Sequence, residues 1–293
     1  MRDRLSARLI RRVTGDLRWT TTGERGSVGA ARLGILDFVE DAVDSALTSF
    51  IPVKTRPLLP PRDDLWDALD PVLPPLQEGD VVAITSKVVA IHQGRCVPAD
   101  AVADKEQLVA AEADRWLPKA SSKYGITLAI KGCTLIASAG IDASNARDHY
   151  VLWPNDPWGA AREIALRLKA KHGLSRLGVI LTDSHCVPLR RGTTGISIGS
   201  YGFNPLRDYR GRPDIFGRPL EVTLSNQADA MAAASVGLMG EGAECIPTVV
   251  VRNWPGLHYS DASHKDAFLI PPEEDIFAPL LAALTSTPMP RAP

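Results

Sequence analysis

Three short, almost uninterrupted apolar runs constrain this chain more than any other feature. They are Val-Val-Ala-Ile-Thr at 81–85, Leu-Gly-Val-Ile-Leu-Thr-Asp at 177–183 and Ile-Pro-Thr-Val-Val-Val-Arg-Asn at 246–253. Runs of this length, bounded by Gly, Pro or charge, read as buried strands. None approaches the roughly 20 apolar residues needed to span a bilayer. The spacing predicts that residues 88–91 continue the first strand, and that 126–142 form two strands turning at Lys131-Gly132. Helices are expected over DDLWDALDPVL, capped by Asp63 or Asp64, and over DKEQLVAAEADRWL. AAREIALRLKAKHG is a third, ending at Gly173 with Lys169, Lys171 and His172 in its last turns. NQADAMAAASVGLMG is a fourth, built of small residues. With 23 glycines and 23 prolines in 293 residues, the pattern favours a loop-rich α/β or α+β enzyme over a helical bundle.

Charge and cysteine usage exclude several classes. Thirty-three basic side chains stand against 34 acidic ones, which argues against a protein built to bind nucleic-acid phosphates. Cys96, Cys133, Cys186 and Cys245 show no CxxC spacing, so neither a disulfide framework nor a thiolate zinc site is expected. Reduced cysteines point to a cytoplasmic protein. The six histidines are dispersed, and any metal must be held mainly by oxygen. Arg2, Arg4, Arg8, Arg11, Arg12 and Arg18 crowd the opening. That opening can resemble a transit peptide, but a mobile extension or an upstream start codon accounts for it better. The expected organisation is an extension over 1–50 with a helix at 35–50, a catalytic domain over 51–275 and a proline-rich tail over 276–293. RPLLPPRDD is expected as an ordered loop or a linker.

Familiar nucleotide motifs fail. There is no Gly-Lys dipeptide and hence no Walker loop, and no GxGxxG. Gly195-Ile-Ser197-Ile-Gly199 fits the hydrolase elbow GxSxG, yet its flanks read as a glycine-rich strand rather than a strand–turn–helix. The chemistry gathers elsewhere. Three segments put hard oxygen ligands on turns at the ends of apolar strands: AGIDASN with Asp142 and Asn145, LTDSH with Asp183 and Ser184, and GEGAE with Glu241 and Glu244. Oxygen donors of this kind suit Mg²⁺ or Mn²⁺. Glycines flanking Glu241 free the backbone to aim N–H groups at phosphate. Each segment alone reads as an ordinary cap or turn, and spacing does not name a reaction.

Read together and in order, these segments resemble the coenzyme F420-0:L-glutamate ligase family from about residue 53 to 253. RPLLPPRDDL looks like its opening nucleotide loop, and GDVVAITSKVVAIHQGR like its Ser-Lys strand. AGIDASN, VLWPNDPWGAA, LTDSH and LMGEGAECIP are similar to its later motifs. The resemblance implies an α+β, mixed-sheet, two-lobed fold in an intertwined homodimer. It implies γ-linkage of L-glutamate to F420-0 through an acyl phosphate, with release of GDP and phosphate. GTP is then a co-substrate, with two Mg²⁺ or Mn²⁺ ions and a K⁺ site as cofactors. Carried over, Asp142, Asp183, Ser184 and Glu241 are metal ligands. Nucleotide contacts fall on Arg56, Pro57, Leu58, Leu59, Ser86, Lys87, Asn145, Met239, Gly240, Gly242, Ala243 and Glu244. Lys87, Asp183 and Arg190 are the expected catalytic side chains, with Arg190 and Arg191 available to clamp an anionic substrate. No nucleic acid or membrane partner is implied.

Two departures keep other readings open. A second lysine common in the family's strand motif is Ile91 here. The family's Phe-Gly-Arg-Pro-Trp-Arg is His185-Cys-Val-Pro188-Leu-Arg190, which loses the aromatic. An amide ligase for another carboxylate, such as a folate-type acceptor, and a degenerate nucleotide-binding protein therefore stand beside the leading reading.

Overall fold

In the computed structural model, residues 47–284 are described. The helix expected at 35–50 lies outside the described residues, apart from its end: Ser49 and Phe50 open strand β1 (Ser49–Val53). The architecture is mixed α+β. β1 is followed by α1 (Leu65–Leu69), β2 (Asp80–Thr85), α2 (Ser86–His92), β3 (Cys96–Pro98), α3 (Lys105–Glu112) and β4 (Arg115–Leu117). Then come β5 (Leu128–Lys131), β6 (Thr134–Ala137), β7 (His149–Val151), α4 (Pro157–His172), β8 (Leu177–Cys186) and β9 (Thr193–Phe203). β10 (Leu206–Asp208), β11 (Leu224–Asn226), α5 (Gln227–Met239), β12 (Thr248–Arg252), β13 (Tyr259–Ser260), α6 (Lys265–Phe268) and α7 (Ala278–Leu281) complete it.

The main sheet has the order β1-β12-β2-β8-β9-β13, with only β2 and β8 parallel. Its apolar runs are continuous because both faces are covered. Val82, Ile84, Val179, Leu181 and Val250 point to the side of α4, where they pack with Ala161, Ile164 and Leu168 and with α1 and α2. On the other face, Val81, Ile180 and Val251 meet Ala228, Met231 and Ala232 of α5. Ala83 and Val249 meet Val236 and Met239 further along the same helix. The glycines of the GxSxG match serve this layering. A Cβ at Gly195 would lie 2.3 Å from the Ala232 carbonyl, and one at Gly199 2.7 Å from the Pro157 backbone. Both helices approach β9 that closely only because those side chains are missing.

Register brings four strands to one sheet edge. Thr85 pairs with Thr182, Thr248 with Ile84, and Val53 with Thr248. The C-terminal ends of β1 and β2, the N-terminal end of β12 and residue 182 of β8 therefore lie side by side.

Three expectations are corrected. Residues 88–91 do not extend β2, because the chain turns directly into α2 and buries Val88, Val89, Ala90 and Ile91 against α1 and α4. Tertiary packing outweighs the β preference of the valines. The helix expected through residue 117 stops at Glu112, and Arg115–Leu117 instead pair with β5. LTDSH is not a turn. β8 continues to Cys186 along β9, with a register shift between Leu181 and Thr182, and such a bulge re-aims the side chains beyond it. The β5–β6 hairpin forms with its turn at Gly132-Cys133, one residue later than expected, and α4 ending at Gly173 (φ 67°) and the small-residue helix α5 form as expected. RPLLPPRDD is an ordered loop in which Arg56 forks onto Asp63 at 2.6 and 2.9 Å.

The sheet's opposite edge is closed by a buried ion pair. Arg252 Nε and Nη2 each donate to Asp80 at 2.8 Å, and Asp80 also accepts from Gln77 N. Arg252→Ala would strand a buried carboxylate, and should lower the unfolding free energy by about 3–5 kcal/mol in chemical denaturation. Beside this pair, Tyr259 donates to the Gly79 carbonyl, and burial together with Asp80 pushes its phenol up to about 12. A raised phenol stabilises the fold fully below the ordinary value near 10, and that contribution is lost as pH rises through 12. Stability should therefore fall more steeply between pH 10 and 12 in the native protein than in Tyr259→Phe, read from denaturation midpoints.

Candidate functional site

At the shared sheet edge lies a cavity of ≈ 780 Å³. Its walls come from most of the segments that carry the family resemblance. Arg56, Pro57, Leu58 and Leu59 line it from the loop after β1, and Ser86 and Lys87 from the start of α2. Asp142 and Asn145 enter from the loop after β6, Asp183 and Ser184 from β8, and Met239, Gly240, Glu241, Gly242, Ala243 and Glu244 from the end of α5 onward. Ile91, where a second lysine is common in the family, also lines it. Arg190 and Arg191 do not. They occupy the exposed turn between β8 and β9, where the Arg190 guanidinium donates to the neighbouring Leu189 carbonyl and its backbone N–H to the Val187 carbonyl.

The acidic groups are tied to donors and to one another. Lys87 Nζ pairs with Asp142 Oδ2 and lies 3.2 Å from the Ser144 carbonyl. Ser144 N donates to Asp142 Oδ1 at 2.7 Å, an Asx turn that holds the carboxylate in place. Burial disfavours the charge on Asp142, but Lys87 and Ser144 outweigh it and hold the carboxyl below the usual range. Asp183 differs. It is half-buried in the cavity wall with protein packed densely behind it, and that desolvation pushes its pKa up to about 6, even though Trp153 Nε1 donates to Oδ2 at 2.5 Å and Ser184 N to Oδ1 at 2.8 Å. The nearby Asp142 charge pushes in the same direction. Ser184 Oγ donates to Glu241 Oε2 at 3.2 Å and Thr193 Oγ1 to Glu241 Oε1 at 3.1 Å, linking β8 and β9 to the glycine-rich loop.

That loop is folded around an anion of its own. Glu244 Oε2 accepts from Gly242 N at 2.8 Å, while Asn145 Nδ2 donates to the Gly242 carbonyl at 2.9 Å. Gly240 (φ 77°) leaves room for the Glu244 carboxylate, which a Cβ would meet at 2.4 Å.

Two lining or supporting residues were not legible in the sequence. Trp153, buried on the far side of Asp183, reaches it only because Gly140 lacks a Cβ, which would lie 2.0 Å from the indole nitrogen. Arg147 faces the cavity from the loop after Asn145. A lone tryptophan or arginine carries no spacing signal, so only the fold reveals them.

Among the described residues, no three His, Cys, Asp or Glu side chains converge as a ready-made metal cage. The donor chemistry nevertheless fits a hard divalent ion. Mg²⁺ keeps several waters and needs only one or two carboxylates, and Asp183 is a half-buried carboxyl whose ionisation a cation would favour.

A cavity that gathers four carboxylates and three basic residues within a largely apolar lining, at the ends of mixed-sheet strands, is a candidate enzyme site. The comparisons give it a family. Residues 55–253 match the family described as F420-0:Gamma-glutamyl ligase. The chain is 33% identical over 249 residues to the coenzyme F420:L-glutamate ligase of Archaeoglobus fulgidus, covering 77% of this chain and 94% of that protein. The enzyme of the same name from Methanopyrus kandleri is 32% identical over 245 residues, 77% of this chain and 96% of the relative. That of Methanothermobacter thermautotrophicus is 31% identical over 248 residues, 78% and 98% respectively. The chain belongs to the F420-0:γ-glutamyl ligase family. Among the described residues, no helix is long and apolar enough to cross a membrane.

Trp153→Phe keeps an aromatic ring, though a smaller one, and removes the donor to Asp183. It should cost about 1–3 kcal/mol of stability, read by thermal or denaturant unfolding. A change within error would mean that the Trp153 indole does not support Asp183.

Proposed function

We propose that the protein is a nucleotide- and metal-dependent γ-glutamyl ligase that joins L-glutamate to F420-0 through an acyl phosphate. The observation that carries this is the meeting of Lys87, Asp142, Asp183 and Glu241 around one cavity with the proline-rich and glycine-rich loops.

In this reading GTP lies between residues 56–59 and 239–246, with Ser86, Lys87 and Asn145 along its phosphates. Asp142, Asp183, Ser184 and Glu241 hold Mg²⁺ or Mn²⁺, up to two ions, with K⁺ as a further cation. When bound, such ions draw negative charge from the phosphoryl oxygens. A carboxylate oxygen of the acceptor forms a bond to the γ-phosphorus, the bond to the bridging oxygen breaks, and GDP leaves. Lys87 offsets the charge spread over the transferring oxygens, for which its ammonium must exchange Asp142 for phosphate. The free amine of glutamate then attacks the acyl carbon, loses a proton and expels phosphate, leaving an amide. Before phosphate binds, the Glu244 carboxylate must leave the Gly242 N–H. Arg190 acts in this scheme only if substrate extends beyond the cavity to the β8–β9 turn. A homodimer is consistent with Ile215, Phe216 and Val222, which the β10–β11 excursion leaves 83–92% exposed.

The test is direct. Protein given GTP, Mn²⁺ or Mg²⁺, L-glutamate and F420-0 should yield a product heavier by one glutamyl residue, read by mass spectrometry. Product with a reduced folate instead would reassign the acceptor, and nucleotide hydrolysis without any acceptor would remove the ligase reading. Asp183→Asn should reduce product formation by at least about 100-fold, while circular dichroism shows an intact fold.

A further inference from the structure

Among the described residues, three basic ones line the cavity: Arg56, Lys87 and Arg147. Two are already engaged, Arg56 with Asp63 and Lys87 with Asp142. The Arg147 guanidinium has no hydrogen bond or ion pair with any described residue, although it borders a cavity that also holds Asp142, Asp183, Glu241 and Glu244.

The backbone beneath it is firmly held. Asn145, Arg147 and Asp148 have φ of 52°, 41° and 60°, a left-handed conformation that costs a non-glycine residue about 1 kcal/mol or more. Contacts on both sides enforce it. Asn145 is tied to the Gly242 carbonyl, and Ala146 is buried in the core. The Arg147 carbonyl lies 2.6 Å from His149 Nδ1, and the Asp148 carbonyl accepts from Ala99 N at 2.8 Å. A strained, pinned loop thus presents a free guanidinium five residues beyond Asp142.

We propose that Arg147 receives a carboxylate of the incoming L-glutamate that takes no part in the new bond. The inference rests on the ligase reading above and specifies how that reaction selects its amino acid. Glutamate attacks through its amine, so both its carboxylates must be held near a wall rich in acids that repel them. The acceptor's reacting carboxylate belongs at the phosphoryl end beside Lys87. Of the lining cations, only Arg147 is left to attract the amino acid, and its planar fork matches a carboxylate in two hydrogen bonds.

Arg147→Gln and Arg147→Lys test this in steady-state assays that vary each substrate in turn. The glutamine variant should raise KM for glutamate about 10- to 100-fold. Its kcat and its KM for nucleotide and acceptor should stay within about threefold, a split that a merely structural residue would not give. The lysine variant should recover part of the loss, because it keeps the charge without the fork. An unchanged KM for glutamate, or a shift that falls on nucleotide or acceptor, overturns the proposal. A second measurement needs no turnover: titration calorimetry with glutarate, a dicarboxylate lacking the amine. Binding to the native protein that weakens in Arg147→Gln supports the assignment. Glutarate binding that is equal in both, or absent from the native protein, overturns it. If the native protein makes no glutamyl product, the ligase reading fails, while the glutarate comparison still decides the role of Arg147.

Discussion

The parallel pairing of β2 with β8 is the constraint on which the site depends. With Thr85 opposite Thr182, the first residues of α2 emerge beside Asp183. The antiparallel partners β12 and β1 then bring the glycine-rich loop and the Arg56 loop to the same edge. A slip of one residue would send every side chain of β2 to the opposite face. It would also separate Lys87 from Asp142. Because both faces of these strands are packed, one by α4 and the other by α5, such a slip is opposed by the whole core.

Charge in the cavity is arranged in pairs that cross between elements. Lys87 on α2 meets Asp142 from the loop after β6, and Ser184 on β8 meets Glu241 beyond α5. Glu241 and Asp183 are both held by neutral donors, and at Asp183 desolvation also opposes ionisation. A partly desolvated carboxyl in the wall of a pocket that also holds Asp142, Glu241 and Glu244 is held at an energetic cost, and a site of that kind favours a ligand that brings positive charge.

Much of the fold was legible because length and pattern agreed. The runs at 81–85, 177–183 and 248–252 are too short for helices and too apolar for loops, and they became central strands. The Gly173 stop and the Asp64 cap marked helix ends through local chemistry. Residues 88–91 misled because valine and isoleucine favour strands in isolation, whereas their burial against α1 and α4 was decided by distant parts of the chain. The extension of β8 past Asp183 was hidden for a similar reason, since polar residues 184–186 pair with β9 without needing a buried face. The cavity-lining segments stood out as unusual mixtures of glycine and acid. Trp153 and Arg147 did not, because one acts from inside the core and the other from a loop whose left-handed backbone no composition rule foretells.

The Glu244 carboxylate on the Gly242 amide gives the glycine-rich loop a built-in competitor. A backbone donor already satisfied offers little net gain to a visitor that merely replaces one oxygen with another. Small, singly charged anions of the cell, abundant though they are, therefore gain little by lodging there. Only a polyanion that engages several parts of the cavity at once could repay the displacement, so if the loop receives the nucleotide proposed above it would discriminate by valency as well as by shape.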